Sequence, residues 1–242
     1  MTGSPGVPPC RPPGGTGRGV TRRTRRSLRP RRRRGSGWNA QAGRTAACQT
    51  CVTSFRKACR NAQPEKRAMG RAAAELVKDG MTVYLDAGTT ILSMVSFLFP
   101  REGLTVVTND FTTVEELQAA RHLSVIHTGG QVEPDNRSSV GRLAAATVRQ
   151  LAFDLAFIST GSWDLIRGVS TPTAAKVEIK QAAMEAASRS VLVAGSSKCG
   201  SFGMYRVAPL TAFDMVITDA ALTEAAAEGI RAGGTDLHLA RI

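Results

Sequence analysis

The alternation of apolar and polar positions changes character near Pro64. Downstream of it, short apolar runs alternate with amphipathic stretches of helical length. EKRAMGRAAAELVKDG (65–80) predicts a helix, and Thr82-Val83-Tyr84-Leu85 predicts a strand. After Asp86-Ala87-Gly88-Thr89-Thr90 comes a second helical run, ILSMVSFLF. The same order returns with LTVVTN (104–109) and a helix from about Phe111, then with LSVIHTGG (123–130). FDLAFIS (153–159), SVLVAG (190–195) and DMVITD (214–219) predict further strands, with helical patterns at about 141–151, 174–188 and 221–231. Short apolar strands separated by helix-length segments are the mark of βαβ units. The expected fold class is therefore α/β, a mostly parallel sheet with helices on both faces.

Upstream the texture is different. Residues 1–50 combine Pro, Gly and Arg with few aliphatic residues, as in PPGGTGRG and RPRRRRGSG. Such a segment buries too little apolar surface to offset the entropy of ordering it, so a disordered tail is expected there. Residues 51–63 read as a linker and 64–242 as the folded domain.

Charge follows the same division. The chain has a formal net charge of +13, which by itself invites a nucleic-acid partner. Residues 1–64, however, hold 15 of the 32 Lys and Arg and none of the 19 Asp and Glu, leaving 17 basic against 19 acidic side chains in the remainder. The cationic part can attract phosphate backbones through counterion release, which is attraction without sequence readout.

Four of the five cysteines, Cys10, Cys48, Cys51 and Cys59, precede Pro64. Cys48-x-x-Cys51 has no second CxxC to complete a zinc site, so no metal and no disulfide framework is expected. No apolar run is long enough to span a membrane. The arginine pairs Arg22-Arg23 and Arg25-Arg26 are not followed by the apolar stretch an export signal needs. A cytoplasmic location is the expectation.

In open parallel sheets the ligand crevice lies beyond the carboxyl ends of the strands. Small and polar residues collect at those points: Asp86 to Thr90, Thr108-Asn109, Gly129-Gly130, Ser159-Thr160-Gly161-Ser162 and Ser196-Ser197-Lys198. Gly88 permits close approach of a ligand to the backbone, and Thr89 and Thr90 place hydroxyls and free N–H groups at a helix start, which suits phosphate. The same threonines can equally be ordinary helix caps. Lys198 either offsets phosphate charge or is a solvated loop lysine. Asp86 either accepts from sugar hydroxyls or holds its own loop, and Asn109 either closes the pocket or caps the next helix. Gly129 and Gly130 fit tight turning. Trp163 reads as packing and His127 as a buried, satisfied histidine. No triad or metal-ligand spacing surrounds His127, so catalytic residues are not assigned.

Taken in order, EKRAMGRAAAELVKDGMTVYLDAGTT, LTVVTN, GG, FISTGSWDLIRGVSTPT, KQAAMEAA, VLVAGSSKCG, VAPL and FDMVITD resemble the sensor region of DeoR-type transcriptional regulators over about 175 residues. The resemblance implies a fold similar to ribose-5-phosphate isomerase and CoA-transferase-like proteins, a sugar-phosphate effector, homo-oligomers and no cofactor. It places the effector pocket at Asp86, Gly88, Thr89, Thr90, Thr108, Asn109, Gly129, Gly130, Asp164, Lys180 and Lys198. Three positions depart from the pattern: Gly195 where the family commonly has Asp, Ser162 where it has Gly, and Lys176 where many members have Glu. The family normally begins with a winged helix-turn-helix that enters the DNA major groove. Residues 1–50 do not match it, whereas TSFRKACRNAQPEKRAM resembles the linker into the sensor. For 1–50 two readings stand: a genuine tail, or a shifted-frame or misassigned start replacing the DNA-binding domain.

The function expected is a regulator, a repressor of carbohydrate-metabolism genes, that binds a phosphorylated sugar without turning it over. A sugar-phosphate isomerase is the first alternative, since the fold can host both. A cationic nucleic-acid-binding protein with a globular dimerisation platform is the second.

Overall fold

A computed structural model describes residues 64–242. The expected tail (1–50), linker (51–63) and Cys48-x-x-Cys51 pair lie outside the described residues. The frame is a seven-stranded sheet in which every neighbouring pair is parallel. Its strands are β1 (Thr82–Leu85), β2 (Thr105–Thr108), β3 (Ser124–His127), β6 (Phe153–Ser159), β9 (Ala187–Val193), β11 (Met215–Asp219) and β12 (Asp236–Ala240). In space they run β12-β11-β9-β6-β1-β2-β3. Two smaller sheets complete the strands: β4 (Gln131–Glu133) pairs with β5 (Ser138–Val140), and β8 (Gly168–Thr171) lies between β7 (Ser162–Asp164) and β10 (Tyr205–Ala208).

The seven helices among the described residues are α1 (Pro64–Glu75), α2 (Thr89–Leu92), α3 (Val95–Leu98), α4 (Phe111–Leu117), α5 (Gly141–Val148), α6 (Ala174–Glu185) and α7 (Glu224–Ala232). The run ILSMVSFLF, expected as one helix, is thus two single turns. Both sheet faces are covered because the strands are apolar on both sides, as buried parallel strands must be. Val83, Leu85, Leu155, Phe157, Val191, Val193 and Ile217 pack with α1 to α4. Their alternates Tyr84, Ala156, Ile158, Leu192 and Val216 pack with α5, α6 and α7. This is the two-residue period of a strand expressed as two cores.

Strand order locates the site. From β1 the chain steps outward to β2 and β3, then returns to the other side of β1 with β6 and continues through β9, β11 and β12. Between β1 and β6 the connections therefore diverge to opposite sides. Such a switch point leaves a crevice at the carboxyl ends of the two strands, which the loops cannot cover. No helix among the described residues is long and apolar enough to cross a membrane.

Candidate functional site

A cleft of about 860 Å³ opens at that switch point. The turns after β1 (Ala87 to Thr90), β6 (Ser159 to Gly161), β9 (Gly195 to Lys198) and β11 (Asp219, Ala221) line it. The first turns of α1 add Glu65, Lys66 and Met69, and Lys176 and Lys180 come from α6. Asn136, Thr171 and Pro172 close the rim.

The cleft floor is a network centred on Asp86. Its Oδ2 accepts from the Ser159 amide at 2.9 Å and from the Ser159 hydroxyl, which lies 3.0 Å from Asp86 and 2.6 Å from the Ala87 carbonyl. The same oxygen is ion-paired with Lys180, whose ammonium also donates to the Ser159 carbonyl at 2.8 Å. Asp86 is 1% and Lys180 6% exposed, so both charges are removed from water and each depends on the other. An ammonium has three donors. Two are occupied, and the third belongs to a lysine that lines the cleft.

The loop from Ala87 to Thr90 is held from the opposite side by the end of β2. The Thr108 hydroxyl donates to the Leu85 carbonyl at 2.7 Å, and Asn109 Oδ1 accepts from the Ala87 amide at 3.0 Å and from the Tyr84 hydroxyl at 3.1 Å. Asp110 accepts from the Gly88 amide at 3.2 Å and caps α4 through the Thr112 and Thr113 amides. Burial raises the Asp110 carboxyl above its usual range, and these N–H donors oppose the rise. Burial first, and then the Asp86 and Asp110 charges, push the Tyr84 phenol well up, so it acts as a donor to Asn109. Gly88 has no room for a side chain: a Cβ there would sit 2.8 Å from the Ser159 hydroxyl oxygen.

Of the residues singled out from sequence, Gly88, Thr89, Thr90, Lys180 and Lys198 line the cleft together. Asp86 lies immediately beneath it. Thr108 and Asn109 are buried behind the β1 loop and bond backbone, and the cap of α4 is Asp110 rather than Asn109. Neither Thr89 nor Thr90 makes a side-chain cap for α2, whose N-cap is Gly88. Gly129 and Gly130 lie outside the lining. Gly130 allows close approach to α5, where a Cβ would meet the Ala144 backbone nitrogen at 2.9 Å. Asp164 also lies outside the lining. It accepts from the Ile166 and Arg167 amides and pairs with the Arg167 guanidinium at 3.2 Å. Burial works against the Asp164 charge, but the Arg167 and Ile166 donors outweigh it and hold the carboxyl below its usual value. Trp163 is core, its indole N–H reaching the Gly195 carbonyl at 3.3 Å. His127 is half-buried, stacks on Phe111 at 4.5 Å and accepts the Gly129 amide at Nδ1. Its Nε2 is buried without a hydrogen-bond partner among the described residues, so within them the ring is only half satisfied.

Sequence reasoning missed Lys66, whose ammonium lies 3.0 Å from the Thr89 hydroxyl, and Asp219. Lys176, noted in the sequence only as a departure, lines the cleft and pairs with Glu133 at 2.8 Å. Asp219 fixes the turn that carries Lys198. It accepts from the Ser196 hydroxyl at 2.6 Å, the Ser196 amide at 2.8 Å and the Ala221 amide at 3.1 Å. Burial disfavours its charge, yet these donors prevail and hold the carboxyl below its ordinary 3.8. A depressed folded-state value contributes stability that is present above pH ~4 and lost as pH falls through the folded value. Asp219→Asn is therefore expected to destabilise the domain by about 1–2 kcal/mol near neutrality, with the difference closing in acid. Urea titrations of both proteins between pH 7 and 3 check this, and a pH-independent difference would contradict it.

A parallel sheet with a lysine-bordered cleft at its switch point places the domain in the α/β class. The family model described as DeoR C terminal sensor domain matches residues 61–220. The chain belongs to the DeoR family of transcriptional regulators. It is 44% identical over 169 residues to the HTH-type transcriptional regulator YgbI of Escherichia coli K12, covering 70% of this chain and 66% of that protein. It is 39% identical over 178 residues to an HTH-type transcriptional regulator of Haemophilus influenzae, covering 74% and 69%. The transcriptional repressor AccR of Agrobacterium fabrum is 33% identical over 156 residues, covering 64% and 60%. The chain thus spans about two thirds of the length of the curated relatives it matches. Among solved structures, a ribose 5-phosphate isomerase of Methanocaldococcus jannaschii aligns with a TM-score of 0.41 at 15% identity, covering 55% of this chain and 53% of that one.

Proposed function

We propose that residues 64–242 form the effector sensor of a DeoR-type regulator, a repressor of carbohydrate-metabolism genes, and that the cleft binds a phosphorylated sugar without transforming it. The reading rests on one juxtaposition: the Lys66 ammonium beside the Gly88-Thr89-Thr90 loop inside the switch-point cleft. Thr89 and Thr90 have hydroxyls and first-turn N–H groups that lack an intrahelical acceptor. With one ammonium alongside, this is a phosphate cradle. Lys180 faces the same space with a remaining N–H, and because Asp86 neutralises it, it suits a hydroxyl or carbonyl oxygen of the sugar.

Binding without turnover is supported by how the two buried carboxylates at the cleft, Asp86 and Asp219, are used. Asp86 is paired with Lys180, and Asp219 accepts three hydrogen bonds, two from Ser196 in the turn after β9 and one from the Ala221 amide. Aldose–ketose interconversion needs a base within reach of the proton it abstracts, and these two are committed elsewhere. Sequence-specific DNA binding and association into homo-oligomers are the family's implications for the whole regulator. A thermal-shift screen against sugar phosphates tests the reading, because a ligand specific for the folded state raises its stability by mass action. At a hundred times Kd the gain is about 2.7 kcal/mol, a shift of several degrees. Consumption of any panel member would favour the isomerase alternative instead.

A further inference from the structure

The charged groups around the cleft are unequally compensated. Lys180 is paired with Asp86 and Lys176 with Glu133. The Asp219 carboxylate is satisfied by three donors of the 196–221 region, and Glu65 sits in the first turn of α1, where the helix dipole favours a carboxylate. Lys66 has only a threonine hydroxyl, and the exposed Lys198 ammonium has no partner among the described residues. Two lysines on the cleft wall therefore lack a counter-charge.

They stand at different places. Lys66 is bonded to the loop that follows β1, whereas Lys198 is in the turn that follows β9. In the sheet, β6 intervenes between those strands, so the two loop stems are separated by two strand spacings, roughly 10 Å. A single phosphoryl group seated on Gly88 to Thr90 is next to Lys66 and leaves Lys198 to another group. Gly195 and Lys176, two of the three points at which the chain departs from the pattern it resembles, both line the cleft. A side chain on Gly195 would have pointed toward Asp219, at 3.4 Å from the added carbon, and toward Ser197 beside Lys198.

Resting on the sugar-phosphate reading above, we propose that the effector carries two separated anionic groups: a phosphoryl group held at Lys66 and the Gly88 loop, and a second anion held by Lys198. A phosphorylated sugar acid or a sugar bisphosphate has this chemistry, with a hydroxylated chain between the charges lying across Lys180. Lys198 is then the residue that sets specificity for the far end of the ligand, while Lys66 reads the phosphate common to all.

Calorimetric titration of the full chain with matched aldose phosphates, aldonate phosphates and bisphosphates on four-, five- and six-carbon chains tests it. At one chain length a doubly anionic member is expected to bind about tenfold more tightly than its aldose phosphate, an uncompensated ammonium gaining a partner. Whether the aldonate or the bisphosphate shows the gain tells which second anion is meant. Lys198→Gln is expected to erase the advantage and Lys198→Arg to keep it, whereas Lys66→Gln weakens every phosphorylated ligand. Equal affinity for singly and doubly anionic members, or an advantage that survives Lys198→Gln, overturns the two-anion proposal and leaves sugar-phosphate binding standing. Failure of every phosphorylated compound to bind overturns that underlying reading as well.

Discussion

Lys180→Met is expected to destabilise the domain by about 3–5 kcal/mol, the range for removing one partner of a buried ion pair. In a domain of this size that lowers the melting temperature by roughly 10 °C. The cause is the group left behind. Asp86 is 1% exposed and would retain the Ser159 amide and hydroxyl as donors but lose the Lys180 cation. Methionine fills most of the lysine stem's volume, so the loss reports charge rather than a cavity. The double variant Asp86→Asn/Lys180→Met supplies the control. An asparagine oxygen still accepts from Ser159 with no net charge to compensate, and most of the lost stability should return. Denaturant titration of the three proteins decides the matter. A single variant within about 1 kcal/mol of the parent would mean that the pair is solvated and the cleft floor is not a closed network.

The network also shows where sequence stops being informative. The parallel strands and flanking helices were legible because their side-chain periods differ, and Val83-Tyr84-Leu85 or Leu155 to Ile158 feed two cores by simple alternation. The small sheet of β7, β8 and β10 was not legible. Its strands are three or four residues long and include Ser162, Gly168 and Ser170, which carry no apolar period. The edge strand β12 went unread for a related reason, since Asp236 and His238 leave only half a strand of apolar signal.

At the site, strand ends were recognisable but strand order was not. Thr108 and Asn109 end a strand as conspicuously as Gly88 begins a loop. They sit at the end of β2, on the side of β1 away from the switch point, so they brace the loop rather than line the cleft. Lys66 is on the first turn of a helix that precedes every strand among the described residues. The packing of α1 against α2, with the Ser93 hydroxyl that ends α2 donating to the Lys66 carbonyl at 2.6 Å, brings its ammonium to Thr89. Asp219 did carry a signal, because DMVITD ends in a carboxylate at a strand end, as Thr82 to Leu85 does with Asp86. Strand adjacency of β9 and β11 turns that signal into a clamp on Ser196.

In the proposed sugar-phosphate site, where the loop's main chain forms most of the cradle, Gly88→Ala is expected to weaken binding about tenfold to a hundredfold while leaving the folded core in place. The added methyl would lie 2.8 Å from Ser159 Oγ and 3.1 Å from Ser159 Cβ. That hydroxyl cannot swing aside without giving up the Asp86 carboxylate and the Ala87 carbonyl, so the loop must move instead. Moving it shifts the Thr89 and Thr90 N–H groups and the Lys66 contact that depends on Thr89. Ser159→Gly in the same chain removes both obstructing atoms. The double variant is then expected to bind more tightly than Gly88→Ala alone, a sign that ordinary loss of stability would not produce. Calorimetry on the parent, both single variants and the double variant reads the coupling. Strictly additive losses would show that Gly88 and Ser159 act independently and that close approach at Gly88 is not what shapes the phosphate cradle.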